Sequence, residues 1–148
     1  MSEGRVEGIF IGPAYQLPAP VERVRAVAGR GLEGNRYFLD EPEPGKALTL
    51  IQAEALEGLE RETGIRLSAA ESRRNVLTRG IDLNALVGKR FRVGEAECYG
   101  VELCEPCASL EGMTQPGVIR GLLHRGGLNA DIVSDGEIAV GDEVAAAE

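Results

Sequence analysis

Cys104 and Cys107 flank a glutamate and a proline in the run Leu103-Cys104-Glu105-Pro106-Cys107. The chain has one other cysteine, Cys98, and one histidine, His124, so covalent or metal chemistry falls first on these thiols. Four candidate zinc ligands exist: Cys98, Cys104, Cys107 and His124. Cys98 and Cys104 lie six steps apart on one expected strand, about 20 Å at roughly 3.3 Å per residue, and zinc–sulfur bonds of about 2.3 Å do not span that. A thioredoxin-type dithiol belongs at a strand-to-helix step of an alternating α/β pattern, which is missing. Cys98 reads as a small interior residue.

The two thiols of the run are not equivalent. Glu105 precedes a proline and is biased to extended backbone. Residues 107–111 are then expected to begin a helical turn, where unpaired amides and the helix dipole favour a thiolate at Cys107. Cys104 ends a strand without that help. His124 falls at the end of an expected helix, where a protonated imidazole suits a capping role; it is left out of the catalytic set.

The elements that must position Cys107 are mostly short strands. Residues 5–11 read as a strand closed by Gly12-Pro13, and residues 21–27 as a second. A glycine-punctuated loop covers residues 29–36, and an exposed loop residues 40–45. Residues 47–51 are apolar and run into a helix over 52–63 that Gly64 ends. Ser68 and Glu71 have capping-box spacing. Residues 75–78 read as a strand, and Asp82 caps a short helix closed by Gly88. Residues 91–93 and 96–103 form a hairpin at Gly94-Glu95, and residues 132–133 and 138–140 a similar one around Asp135-Gly136. Pro116 is placed in the first turn of a helix through Leu123. Recurrent short strands predict a mainly β fold, a β-barrel with a few short helices. The 148 residues are read as one domain, 1–148.

The net charge of −8 argues against nucleic acid and against an anionic membrane surface as partners. No apolar stretch follows Met1, and the apolar runs are too short to span a bilayer, so a cytoplasmic location without structural disulfides is expected. Fourteen of the sixteen basic residues are arginine. Both a compositional bias and a need for planar forks that grip phosphate or carboxylate are consistent with that.

Several strings together resemble the MOSC domain family, named for the C-terminal part of molybdenum-cofactor sulfurases. They are Gly31-Leu32-Glu33-Gly34-Asn35-Arg36-Tyr37, Ala47-Leu48-Thr49-Leu50-Ile51, Arg74-Asn75-Val76-Leu77-Thr78-Arg79-Gly80-Ile81-Asp82-Leu83 and Leu86-Val87-Gly88-Lys89-Arg90-Phe91-Arg92-Val93-Gly94. Pro106-Cys107, Arg125-Gly126-Gly127-Leu128-Asn129-Ala130 and Ile138-Ala139-Val140-Gly141-Asp142 follow in the same order. The resemblance implies a MOSC-type β-barrel, with Cys107 as the functional thiol that either carries sulfur as a persulfide or ligates the molybdenum of a pyranopterin cofactor. It implies cofactor binding by Gly31, Gly34, Asn35, Arg36, Arg74, Asn75, Arg79, Arg125, Gly126 and Gly127. Glycines admit backbone amides to a phosphate, and arginines offer bidentate hydrogen bonds. The family usually has Gly-Asp-Arg where this chain has Gly34-Asn35-Arg36, which removes a carboxylate.

The expected function is therefore cofactor-related: binding the molybdenum cofactor, carrying sulfur on Cys107 for its assembly, or both. A molybdenum-dependent reductase of N-hydroxylated small molecules, with Cys107 on the metal, is the first alternative. A non-catalytic module that stores or delivers the cofactor is the second. A cysteine desulfurase or reductase would be a separate protein. For thiolate chemistry, Arg125 and the helix start are expected to favour the anion at Cys107, and Glu102, Glu105 and Glu111 to oppose it.

Overall fold

A computed structural model describes residues 3–14 and 16–147. The first strand, β1 (Glu3–Ile11), buries Val6 between exposed Arg5 and half-buried Glu7, is bulged between Val6 and Gly8, and pairs with three partners along its length. β2 (Ala19–Val21) adds to its C-terminal half, and β3 (Arg23–Val27) and β4 (Gly31–Leu32) leave for a second sheet. The strand expected over residues 21–27 is thus two strands: the chain breaks at Glu22, whose carbonyl accepts from Val140 N at 2.9 Å, and changes sheets there.

β5 (Leu48–Gln52) runs into helix α1 (Ala53–Thr63), and β6 (Val76–Arg79) returns parallel to β5. A parallel pair needs such a crossover. Gly64 ends α1 at φ 80°, and its N–H bonds the Glu60 carbonyl, the left-handed stop that glycine makes without a Cβ penalty. The Ser68–Glu71 capping box forms reciprocally, at 2.9 and 3.1 Å, but the segment stays in turns because Arg73 enters the left-handed region at φ 61°. Asp82 accepts from Asn84 N and caps a 3-10 turn, Leu83–Leu86.

β7 (Arg90–Val93) and β8 (Ala96–Leu103) form the expected hairpin, with Gly94 at φ 57°. Helices α2 (Ala108–Met113) and α3 (Val118–Leu122) follow, then β9 (Leu128–Ser134), β10 (Gly136–Ala139) and β11 (Glu143–Ala146). The order β11-β7-β8-β9-β5-β6-β1, with β1 paired back to β11, closes a mixed barrel of seven strands. The only parallel neighbours in that ring are β5 and β6. The mainly β, barrel-like fold expected from the strand pattern is the fold observed.

Two local expectations are corrected. The Asp135-Gly136 hairpin does not form: β10 pairs with β3 and not with β9. Asp135 accepts from Ala28 N at 2.7 Å, and a Cβ on Gly136 would lie 2.4 Å from the Glu95 backbone, so both residues serve a crossing between sheets. Pro116 lies before α3 and outside its first turn. Gly117 is the N-cap, and Glu111 Oε1 accepts the N–H groups of Gly117 and Ile119 at 3.1 and 3.0 Å.

The barrel interior is filled by Phe91, Leu48, Leu50, Leu128, Ile138 and their neighbours, all fully buried. A second, smaller core lies outside it, where Leu59 of α1, Leu67, Leu110 of α2, and Val118 and Leu122 of α3 meet. That cluster anchors α2, and hence the residue that begins it. No helix among the described residues is long and apolar enough to cross a membrane.

Candidate active-site cleft

Cys107 is the N-cap of α2, with extended backbone at φ −128° and ψ 171°. Pro106, buried before it, has no N–H to donate, and the first helical bond runs from Glu111 N to the Cys107 carbonyl at 3.1 Å. Leu110 pulls the helix into the outer core, and the Cys107 side chain is left exposed. The three thiols therefore stand in different surroundings. Cys98 is fully buried inside the barrel, paired with Phe91 and Ile132 across the sheet, and burial with the nearby Glu97 charge pushes its thiol up to about 12. Cys104 is half-buried. Burial raises its pKa, Arg74 and Lys46 pull it the other way, and Cys107 and Glu102 add to the rise.

Residues 104–107 pass without a turn or bend. Three extended steps separate the two backbones by about 10 Å, beyond the roughly 7 Å over which a disulfide closes. The Cys-x-x-Cys run is thus not a dithiol pair in this conformation. Among the described residues no group of three or more His, Cys, Asp and Glu side chains converges on a metal position. His124 lies instead on the outside, with Nδ1 2.9 Å from Glu105 Oε2 and its backbone N donating to Glu105 Oε1 at 2.7 Å.

Cys104 and Cys107 line one wall of a cleft of about 710 Å³. Arg36, Lys46, Arg73 and Arg74 also line it, against two carboxylates, Glu102 and Glu105, so the hollow is cationic in a protein that is acidic as a whole. Arg36 and Lys46 lie against the Tyr37 ring, 4.9 and 5.7 Å from its centroid. Among the described residues neither they nor Arg73 make an ion pair, whereas Arg79, Arg125, Arg23, Arg30, Arg66 and Arg90 all do. Burial and the Arg36 charge lower the Arg73 pKa.

Of the residues expected at a cofactor site, the cleft brings together Asn35, Arg36, Arg74, Asn75 and Cys107. Several of these already have work. Arg74 donates to three backbone carbonyls, Gly126 at 2.8 Å, Cys104 at 3.0 Å and Ser72 at 3.3 Å. Asn75 accepts from Thr49 N and Oγ1 and donates to the Phe10 carbonyl, tying β5 to β1 beside β6. Asn35 accepts from Gly12 N at 3.3 Å, and its buried Nδ2 has no partner among the described residues.

Arg79, Arg125, Gly31, Gly34, Gly126 and Gly127 do not line the cleft. Arg79 pairs with Glu7 at 2.6 Å and with Glu57 at 2.5 Å. Arg125 pairs with Glu62 at 2.9 Å and bonds the Gly121 carbonyl, which removes it as the cation expected beside Cys107. Gly126 lies behind the cysteine loop: a Cβ there would stand 2.6 Å from the Cys104 carbonyl oxygen and 2.8 Å from Pro106 Cδ. Gly31 sits at φ 124°, and a Cβ there would lie 3.0 Å from the Tyr37 carbonyl oxygen. Lys46 and Arg73 were missing from the sequence-based set. Lys46 follows a Pro-Gly turn, and Arg73 sits beside the matched string that starts at Arg74, so adjacency was the one available signal.

No curated protein matches the sequence. Among solved structures, the YUAD protein from Bacillus subtilis superposes with a TM-score of 0.84 over 97% of both chains at 17% identity. YiiM from Geobacillus stearothermophilus gives 0.76 at 18% identity over 98% of this chain and 75% of that one. YiiM from Escherichia coli gives 0.73 at 18% over 97% and 70%. At such identities the likeness is one of fold. The sequence itself carries the family: the MOSC domain matches residues 39–145, which take in Lys46, Arg73, Arg74 and the Cys107 loop, and the chain belongs to the MOSC domain family.

Proposed function

We propose that the chain handles the molybdenum cofactor or its sulfur, with Cys107 as the working thiol. The observation that carries this reading is the exposure of Cys107, alone of the three cysteines, on a wall of the cationic cleft. In the carrier reading, the Cys107 thiolate attacks the terminal sulfur of a persulfide presented by a separate cysteine desulfurase. A new S–S bond forms at Cys107, the donor's S–S bond breaks, and the donor cysteine leaves as a thiolate, so no outside oxidant is needed.

The residues present also fit a phosphorylated, metal-bearing pterin, which favours the second reading. Cys107 is the thiol to meet a metal, Arg36, Lys46 and Arg73 are cations without carboxylate partners among the described residues, and the cleft has the volume of a cofactor site. The bound cofactor would supply redox chemistry at molybdenum, with an N-hydroxylated small molecule as substrate and electrons from a separate reductase. The protein's part is to hold the phosphate end, present the thiol and narrow access from solvent. A module that stores the cofactor would use the same contacts without turnover.

Native mass spectrometry and metal analysis of protein expressed with molybdate test this. The carrier reading expects one added sulfur atom on Cys107 and thiocyanate release by cyanide; the cofactor reading expects near-stoichiometric molybdenum. Either signal disappears in Cys107→Ser and survives in Cys98→Ser. A signal that follows Cys104 in place of Cys107 overturns the assignment.

A further inference from the structure

We propose that Cys104 is the second station of a sulfur relay: it takes the sulfane sulfur from Cys107 and holds it inside the cleft. The inference rests on the carrier reading of Cys107 and adds a residue to which that reading gives no role.

The residues of the cysteine loop divide their contacts. The Glu105 carboxylate is held by His124, through the backbone N at 2.7 Å and Nδ1 at 2.9 Å. Pro106 is buried, and a Cβ on Gly126 would lie 2.8 Å from its Cδ. Cys104 and Cys107 both line the cleft. The extended chain that proline favours has roughly three residues per turn, so residues i and i+3 share a face about 9–10 Å apart. One thiol stands exposed on that face, and the other is half-buried.

That spacing decides the chemistry. A disulfide needs the two Cα atoms within roughly 7 Å, which the loop in this conformation does not allow. A single sulfur atom passing between the two Sγ atoms lengthens the reach by roughly 2–3 Å, which closes the gap. The pair therefore suits transfer of sulfur and not oxidation to a disulfide. The inner thiol is also well fixed. Cys104 N donates to the Gly127 carbonyl at 2.7 Å, and the Cys104 carbonyl accepts from Arg74 at 3.0 Å. Arg74 and Lys46 favour negative charge on its sulfur, against the burial that opposes it.

The step balances without an outside oxidant. Cys104, as thiolate, attacks the outer sulfur of the Cys107 persulfide. A bond forms between Cys104 Sγ and that sulfur, and the bond from Cys107 Sγ breaks. Cys107 leaves as a thiolate and takes up the proton that Cys104 gave away. The persulfide thus moves from an exposed residue to a half-buried one, where solvent thiols strip it less readily. Cys107 is then free to be loaded again.

The test is a time course with glutathione persulfide as donor, the added sulfur being located by fragmenting the cysteine peptide in a mass spectrometer. In the wild type, sulfur should appear on Cys107 first and on Cys104 later, as Cys107 returns to the free thiol. Cys107→Ser should slow the loading of Cys104 by about tenfold or more, because hand-over within one loop has a high effective concentration. Cys104→Ser should keep the sulfur on Cys107, open to cyanide throughout. The order of appearance in the wild type needs no variant, so it decides even where a substitution disturbs folding. Sulfur that loads Cys107 and stays there overturns the relay and leaves Cys107 as the carrier. Full-rate loading of Cys104 in Cys107→Ser, or a Cys104–Cys107 disulfide formed with release of sulfide, overturns it as well. Sulfur on neither residue would remove the carrier reading together with the relay.

Discussion

Arg74 Nη2 donates to the carbonyl oxygen of Cys104 at 3.0 Å, so a buried guanidinium next to β6 holds the loop that presents Cys107. The Cys104 backbone is fixed from its other side as well, because its N–H donates to the Gly127 carbonyl at 2.7 Å. Position at the thiol is therefore set by contacts three residues away from it, made by groups that do no chemistry.

Arg74→Met should cost about 2–4 kcal/mol, because three carbonyls lose a charged donor and at least part of that polar surface stays buried. Arg74→Lys should recover little, since one ammonium cannot reproduce the fork that reaches Gly126, Ser72 and Cys104. Urea denaturation measures both, and a loss below about 0.5 kcal/mol for Arg74→Met would remove the anchoring role.

Gly126→Ala should leave the protein folded yet slow the alkylation of Cys107. The new methyl would stand 2.6 Å from the Cys104 carbonyl oxygen and 2.8 Å from Pro106 Cδ, and the loop must shift to admit it. Wild-type alkylation kinetics in a variant with a normal circular dichroism spectrum would show that the thiol is indifferent to this packing.

The thiols should react in a fixed order. Cys107 is exposed and should be alkylated first in the native protein; Cys104, half-buried and with its pKa raised by burial, should follow slowly; Cys98 should react only on unfolding. Peptide mapping after timed iodoacetamide treatment reads the order directly.

Alkali should weaken the fold through Cys98. In the unfolded chain this thiol ionises near ~8.5, while in the native protein burial holds it protonated up to about 12. Between those values the unfolded state binds fewer protons than the native one, so stability falls as pH rises; below the window nothing is lost. The slope for this one group approaches about 1.4 kcal/mol per pH unit. Cys98→Ala should flatten the decline between about pH 9 and about pH 10.5, relative to wild type, when unfolding is followed by urea titration. An unchanged slope would mean that Cys98 ionises as easily inside the barrel as outside.

What the chain determined by itself is what contacts within a few residues decide. Gly64 stops α1, Gly94 turns the β7–β8 hairpin, Asp82 caps its own 3-10 turn, and Pro106 sets Cys107 at the start of α2. Each depends on backbone sterics or a hydrogen bond to a near neighbour, so residue type and spacing were enough. The order of the matched strings likewise pointed to the barrel. Only the tertiary structure decided which distant groups meet. The strand signal at Asp135-Gly136 was real, but β10 took β3 as its partner across more than a hundred residues. Arg79 and Arg125 carried the same fork as Arg36, and lost their availability to Glu7, Glu57 and Glu62. Arg36, Lys46 and Arg73 kept theirs because the folded cleft places no carboxylate within pairing distance among the described residues. Charge belongs to a residue type, but whether that charge is free is a property of what folding brings beside it.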